Sequence, residues 1–170
     1  MANAKRNVFY SFHYDADNWR ASQVRNMGVI DGNAPCSDND WESVKKGGDA
    51  AIEKWIAGQL SGRSCEVVLV GSDTAGRKWI TYEINKAWND GKGVVGVRIH
   101  GLKDRNGATS YAGGKPFDYV TFTKDNAALS SVVKLYDPTS IFGDSTVTYA
   151  NIKRDLAGWI EEAIRIRNSR

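Results

Sequence analysis

Short apolar clusters separated by polar, glycine-bearing stretches run along this chain, and the spacing inside each cluster predicts its element. Residues 8–13 (VFYSFH) are β-branched and aromatic and end in Tyr14-Asp15-Ala16-Asp17-Asn18, the pattern of a strand running into a helix start. Asp17 or Asn18 is the expected N-cap, with the helix over 19–27. Residues 28–48 are polar and turn-rich, with room for one short strand near 34–37. From 49 to 60 the period turns helical and places Ile52, Trp55, Ile56 and Leu60 on one face. CEVVLVG (65–71) is a nearly continuous apolar run, which suits a parallel strand covered on both faces. A helix over 78–89 closes at Asp90-Gly91, VVGVRI (94–99) is a second buried strand, and SVVKLY (131–136) is the last, stopped by Asp137-Pro138. Residues 149–168 form the longest predicted helix, with Ile152, Leu156, Trp159, Ile160 and Ala163 as its buried stripe.

Strand and helix alternate from end to end, so one domain over 1–170 is expected, built on a mostly parallel five-stranded sheet with helices on both faces. Right-handed crossovers make this a flavodoxin-like α/β fold, in which ligands bind beyond the carboxyl ends of the strands. The loops after His13, Gly71 and Ile99 are therefore the places for a site. The excursion over 101–130, which contains GGKPFDY at 113–119, is longer than an ordinary connection and is expected to be functional, partly structured or mobile.

Composition narrows the class without touching the chemistry. Apolar residues are 41% and charged residues 25%, as in globular domains. No apolar run approaches the ~18–20 residues of a bilayer span, and MANAKRNVFYSF lacks the apolar segment of a signal peptide. No membrane contact and a cytoplasmic location are expected. A net charge of +3 is too balanced to suggest a nucleic-acid groove. Cys36 and Cys65 stand far apart, only two histidines are present, and CxxC is absent, so neither a disulfide scaffold nor a metal site is expected. Trp55, Trp79, Trp88 and Trp159 fall on helical faces and read as packing, and Arg165, Arg167 and Arg170 suit the carboxyl end of the last helix dipole.

One acid breaks the pattern. On a helical wheel over 79–89, Trp79, Ile80, Ile84, Ala87 and Trp88 fill one half, and Glu83 falls inside that apolar arc. Burial there favours the neutral acid unless a partner holds its charge. Periodicity leaves two readings, a structural acid paired with Arg or Lys, or a catalytic or ligand-binding group. Ser72, Asp73 and Thr74 lie just upstream, as N-caps or as part of an anion site at the helix start. GxGxxG and GxxxxGK[ST] are absent. His13 closes its strand either as a hydrogen-bonded structural group or as a contact for phosphate or ribose.

Specific blocks go further. VFYSFHYDAD (8–17) resembles the opening of Toll/interleukin-1 receptor (TIR) domains, and WITYE (79–83) reproduces the WxxxE pattern of their third helix. WESVKKGGDAAIEKWI (41–56), VVLVGSDTAGRKWITYEINKA (67–87) and GGKPFDY are similar to the bacterial TIR-like domain family of the Thoeris anti-phage protein ThsB, a resemblance covering about residues 7–165. It implies a flavodoxin-like TIR fold and NAD⁺ as substrate, with no separate cofactor. It further implies loss of nicotinamide and a cyclic ADP-ribose isomer acting as second messenger for a separate nucleotide-sensing effector protein. On this chain the resemblance implies that Glu83 is catalytic, that Ser11, Phe12 and His13 line the cleft, and that Ser72 and Trp79 border it. Trp41 lies in the segment matching the family's mobile BB loop. Self-association in the active state and a phage-derived trigger are implied as well. No second acid stands out beside Glu83, with Asp15, Asp38 and Asp40 as open possibilities. Two other classes compete. One is a catalytically silent TIR-like interaction module, against which Glu83 and the strand-one polar cluster speak. The other is a phospho-receiver, which would carry an aspartate where the third strand ends in Leu69-Val70-Gly71.

Overall fold

Continuous apolar strands demand cover on both faces, and the chain supplies it. A computed structural model describes residues 6–32, 43–121 and 127–170. In chain order its elements are β1 (Asn7–Ser11), α1 (Tyr14–Arg25), β2 (Asp31–Gly32), α2 (Gly48–Leu60), β3 (Cys65–Val70), α3 (Lys78–Asn89), β4 (Gly93–Arg98), the 3₁₀ turns Pro116–Tyr119 and Leu129–Ser131, β5 (Leu135–Tyr136) and α4 (Ser145–Asn168). The five strands stand in the order β2-β1-β3-β4-β5 and pair in parallel throughout. That is the doubly wound flavodoxin-like order, with its switch point between β1 and β3. Only β1, β3 and β4 are substantial, and the two edges are two-residue strands.

The period-2 pleat sorts side chains into two layers. Val8, Tyr10, Cys65, Val67, Leu69, Val95 and Val97 face α1 and α4, where Ala21, Val24, Ile152, Leu156 and Ile160 complete an apolar core. Phe9, Val68, Val70 and Val94 face α2 and α3, packing on Ile52, Ile56, Leu60, Ile80, Ile84 and Ala87. Cys65 is a buried free thiol, its ionisation pushed up chiefly by burial. Gly93 lets α4 lie directly on β4, since a Cβ there would stand 2.9 Å from the Ile164 backbone nitrogen.

The predicted α2, β3, α3 and β4 agree with the structure to within a residue at each end. Three boundaries do not. Helix α1 begins at Tyr14, five residues before the expected start, behind His13, which makes no side-chain capping bond. Asp17 is therefore no cap. It is buried inside α1, where its Oδ1 accepts from Arg20 Nη1 at 3.0 Å. The last strand shrinks from six residues to two because Leu129–Ser131 winds as a 3₁₀ turn instead. The last helix starts four residues early, where Asp144 accepts from the Thr146 backbone N–H. The strand expected near 34–37 lies outside the described residues, as do Trp41, Cys36, Asp38 and Asp40.

The first part of the 101–130 excursion is pinned. Arg20 donates from Nε to the Leu102 carbonyl and from Nη2 to the Ala108 carbonyl, each at 2.9 Å. Arg98 donates to the Gly113 carbonyl at 3.2 Å. There the loop backbone presses on Gly71 and Ser72 so closely that a Cβ at Gly113, whose φ is +73°, would collide with the Gly71 carbonyl, and a Cβ at Gly71 would collide with Asp17. Among the described residues no helix is long and apolar enough to cross a membrane.

Candidate active site

Beyond the carboxyl end of β1, the chain turns outward and opens a cleft of about 340 Å³ lined by Phe12, His13, Tyr14, Asp15, Lys45, Arg77, Lys78, Trp79, Ile80 and Glu83. It lies beside the switch point, where a doubly wound sheet leaves its crevice. Phe12 and Trp79 are half-buried walls, Trp79 meeting Tyr82 edge-on at 5.5 Å between ring centres. The mouth is basic. Lys78 extends over the Trp79 ring at 4.8 Å and pairs with Asp49 at 2.6 Å, while Arg77 pairs with Asp73. His13 Nε2 stands 4.0 Å from Asp73.

Glu83 sits at the inner end of this cleft, only 8% exposed. Its place on α3 follows from the wheel: it shares the buried face with Ile80, Ile84, Ala87 and Trp88. Its Oε2 accepts a hydrogen bond from the Ser11 hydroxyl, and no cation pairs with it among the described residues. Burial pushes the Glu83 carboxyl up to about 8, with Ser11 pulling weakly the other way. A carboxyl moved into the neutral range inside a cleft marks a candidate functional group.

The acid that sequence reasoning missed is Glu66. It lies mid-β3 and is fully buried, on the face that β3 turns to α2 and α3, opposite Phe9 in register. Ser11 stands two positions along β1 from the partner of Glu66, on the same face of the sheet. Burial first, and Glu83 second, drive the Glu66 carboxyl well above the usual range, while Ser11 lowers it. Neither Glu66 oxygen has a hydrogen-bond partner among the described residues. The signal was present in CEVVLVG: an acid inside a strand covered on both faces is as anomalous as one on an apolar helix arc.

The structure thus brings Phe12, His13, Trp79 and Glu83 to one cleft, with Ser11 beneath Glu83. Ser72 is not among the lining residues and packs under the loop at Gly113. Trp41 lies outside the described residues. Asp15 lines the mouth and does not contact Glu83 by any hydrogen bond. The expected caps also resolve: α3 starts at Lys78 behind Arg77 with no side-chain cap, Thr74 Oγ1 accepts from the Gly71 N–H at 2.8 Å, and Asp73 is engaged by Arg77. Lys45, Arg77 and Lys78 were not singled out by sequence, because short basic pairs on a surface carry no spacing signal. No His/Cys/Asp/Glu group among the described residues has the arrangement of a metal site.

Comparison with known proteins bears on the same residues. The family described as "Thoeris protein ThsB, TIR-like domain" matches residues 9–104, more than half the chain and a span that includes the end of β1, all of β3 and α3, and Glu83. A relative in Bacillus cereus (strain MSX-D12), named "Putative cyclic ADP-D-ribose synthase ThsB1", is 39% identical over 124 residues, which is 70% of this chain and 64% of that protein. The alignment thus spans a little under two thirds of the relative's length. Strand order, the cleft at the switch point and the family match agree, and the chain belongs to the ThsB TIR-like domain family of Thoeris.

Proposed function

We propose that this protein cleaves NAD⁺ at the nicotinamide–ribose bond and closes the ADP-ribose into a cyclic isomer, with Glu83 as the catalytic carboxylate. The observation that carries the reading is a buried glutamate at the inner end of a cleft that has aromatic walls and a basic mouth. Aromatic faces suit the flat nicotinamide and adenine rings. Arg77, Lys78 and Lys45 suit the pyrophosphate, and the Glu83 carboxylate suits the ribose. At about 340 Å³ the cleft is at the small end of ligand sites and holds the nicotinamide-riboside half, leaving the rest to the mouth or to a second copy. The relative's printed name points to the same product class.

The chemistry needs one fixed anion and little else. The glycosidic C–N bond breaks with its electron pair going to the nicotinamide nitrogen, which leaves as a neutral ring, so no general acid is required. Positive charge then develops on the ribose as an oxocarbenium ion, which a preoriented carboxylate stabilises where water is excluded. A second nucleophile of the same ADP-ribose attacks that carbon, and the proton it sheds goes to Glu83. The free enzyme holds Glu83 mostly protonated at neutral pH. The cationic nicotinamide, once bound, draws the ionised form out by opposite charge. The product acts as a second messenger for a separate nucleotide-sensing effector in anti-phage defence, and the enzyme works self-associated after a phage-derived trigger.

The test is nucleotide chromatography with mass detection on phage-challenged cells carrying wild type or Glu83→Gln. Loss of NAD⁺ with a new ADP-ribose-class product in wild type, reduced at least about a hundredfold in the variant, is the expected result. The kcat/KM should rise with pH toward about 8, since only the ionised carboxylate stabilises the cation. Unchanged turnover in folded Glu83→Gln would overturn the assignment. Silence in both, even when the purified protein is forced to self-associate, would point to an interaction module instead.

A further inference from the structure

A second cavity, of about 500 Å³, opens at the β5 edge of the sheet, and its lining shares no residue with the cleft around Glu83. Arg98 ends β4 and Tyr136 ends β5, so this cavity too reaches the carboxyl ends of strands. A glycine makes room for it. Gly96 sits inside β4, where a Cβ would stand 2.7 Å from Leu135 Cδ1 and 2.8 Å from Phe117 Cε2. Those two side chains sink onto bare backbone and, with Val133, give the cavity an apolar floor.

The rim is charged and mostly of one sign. Arg98, Lys115 and Lys134 line it, against the single acid Asp118. Arg98 is held by the backbone: its Nη1 donates to the Ala112 and Gly113 carbonyls at 2.5 and 3.2 Å, which leaves Nε and Nη2 without a hydrogen-bond partner among the described residues. Lys134 stands 3.6 Å from Glu162, whose carboxylate also accepts from the Tyr136 hydroxyl. Tyr136 stacks on Trp159 with 4.6 Å between ring centres, so the wall it forms is fixed from behind. The opposite wall is braced as well. Gly113 presses on Gly71 and Ser72, a Cβ at Gly114 would lie 3.1 Å from that of Ala75, and the Tyr119 ring lies 3.4 Å from where Gly76 would carry a Cβ. The cavity is thus pre-formed, as small-molecule sites are.

We propose that this cavity binds a nucleotide, its flat base on the apolar floor and its phosphates across Arg98, Lys115 and Lys134. Its volume lies within the range of small-molecule sites. Three cations spread around one mouth match a di- or triphosphate better than a lone carboxylate, and a guanidinium fork with donors to spare engages phosphate oxygens in pairs. Phe117 and Tyr136 supply aromatic surface for a base. A bare inorganic anion would leave the floor unused, and an acidic peptide would bring no flat ring to it. The site stands apart from the cleft and does not depend on the role given to Glu83.

The experiment is an amide-resolved NMR titration of isotope-labelled protein with ADP, with no NAD⁺ present. It compares wild type, the double variant Lys115→Ala with Lys134→Ala, and the double variant Arg77→Ala with Lys78→Ala. Wild type should show saturable shifts at the amides of Phe117, Asp118, Lys134 and Tyr136 at low millimolar ADP. Loss of both rim lysines should weaken that binding about tenfold, and loss of the two cleft cations should leave it unchanged. Both lysines are exposed; if their double variant does not fold, Lys115→Ala alone should weaken binding about threefold. Adenosine and pyrophosphate, titrated separately, should each bind at least about tenfold more weakly than ADP. Pyrophosphate as tight as ADP would leave an anion site with no use for a base and overturn the proposal. So would a hexaglutamate peptide that saturates the same amides at lower concentration than ADP, which would mark a docking surface for an acidic partner. No saturable shift, shifts confined to the cleft residues, or an affinity unmoved by loss of the lysines overturn it equally.

Discussion

The two faces of the sheet use the same alternation to opposite ends. Toward α1 and α4, β1, β3 and β4 present an unbroken apolar set from Val8 to Val97, and α4 answers with Ile152, Leu156 and Ile160. Toward α2 and α3 the same strands present Ser11 and Glu66, and α3 answers with Glu83 among its isoleucines. The strands of the first layer carry no charged side chain, although Asp17 and Arg20 are buried as a pair on α1. The second carries three polar groups at positions where apolar side chains would fit, so it stores the conditions for chemistry as lost stability.

The comparison breaks most visibly in the apolar layer. Leu156→Ala, at a fully buried position, should cost about 2–5 kcal/mol in urea unfolding without shifting the pH dependence of any activity. In the other layer the sign reverses. Glu83 is raised when folded, so between roughly pH 4.5 and 8 the folded state binds a proton that the unfolded chain has lost, and stability falls as pH rises through that window. Glu83→Gln removes the charge and should therefore be more stable than wild type by up to about 3 kcal/mol at pH 7, the gain vanishing near pH 4 in the same urea series. A variant that is equally stable at both pH values would mean that Glu83 is not desolvated. Ser11→Ala sharpens the contrast with a smaller effect. It removes the one donor to Glu83 among the described residues, worth about 1–2 kcal/mol, and should push the acid limb of turnover up by about a unit.

The legible part of this molecule follows the same division. Helix α3 and the odd place of Glu83 could be read from the wheel, because burial on a helix has a sharp period and an acid inside it stands out. Glu66 was equally buried but went unread: an acid inside a continuous apolar run is an anomaly of composition and not of phase, because a strand covered on both faces has no polar side. Its place on the face of Ser11 is set by the pairing of β1 with β3 and not by distance along the chain. Helix α1 was misplaced for a local reason. Asp17 resembles a cap in sequence, yet its carboxylate serves Arg20, which in turn holds the loop at Leu102 and Ala108. The basic mouth was invisible since Lys45, Arg77 and Lys78 converge only in the folded chain.

The crossing of backbones at Gly71 and Gly113 has a practical meaning. Neither residue has room for a side chain, so that crossing is a fixed point of the loop. Six residues earlier in the same loop, Gly107 has a φ of +79° and nothing within 4 Å of where its Cβ would be. Neither glycine of this loop therefore accepts a side chain freely, Gly113 for want of space and Gly107 because its backbone is one that only glycine adopts without strain.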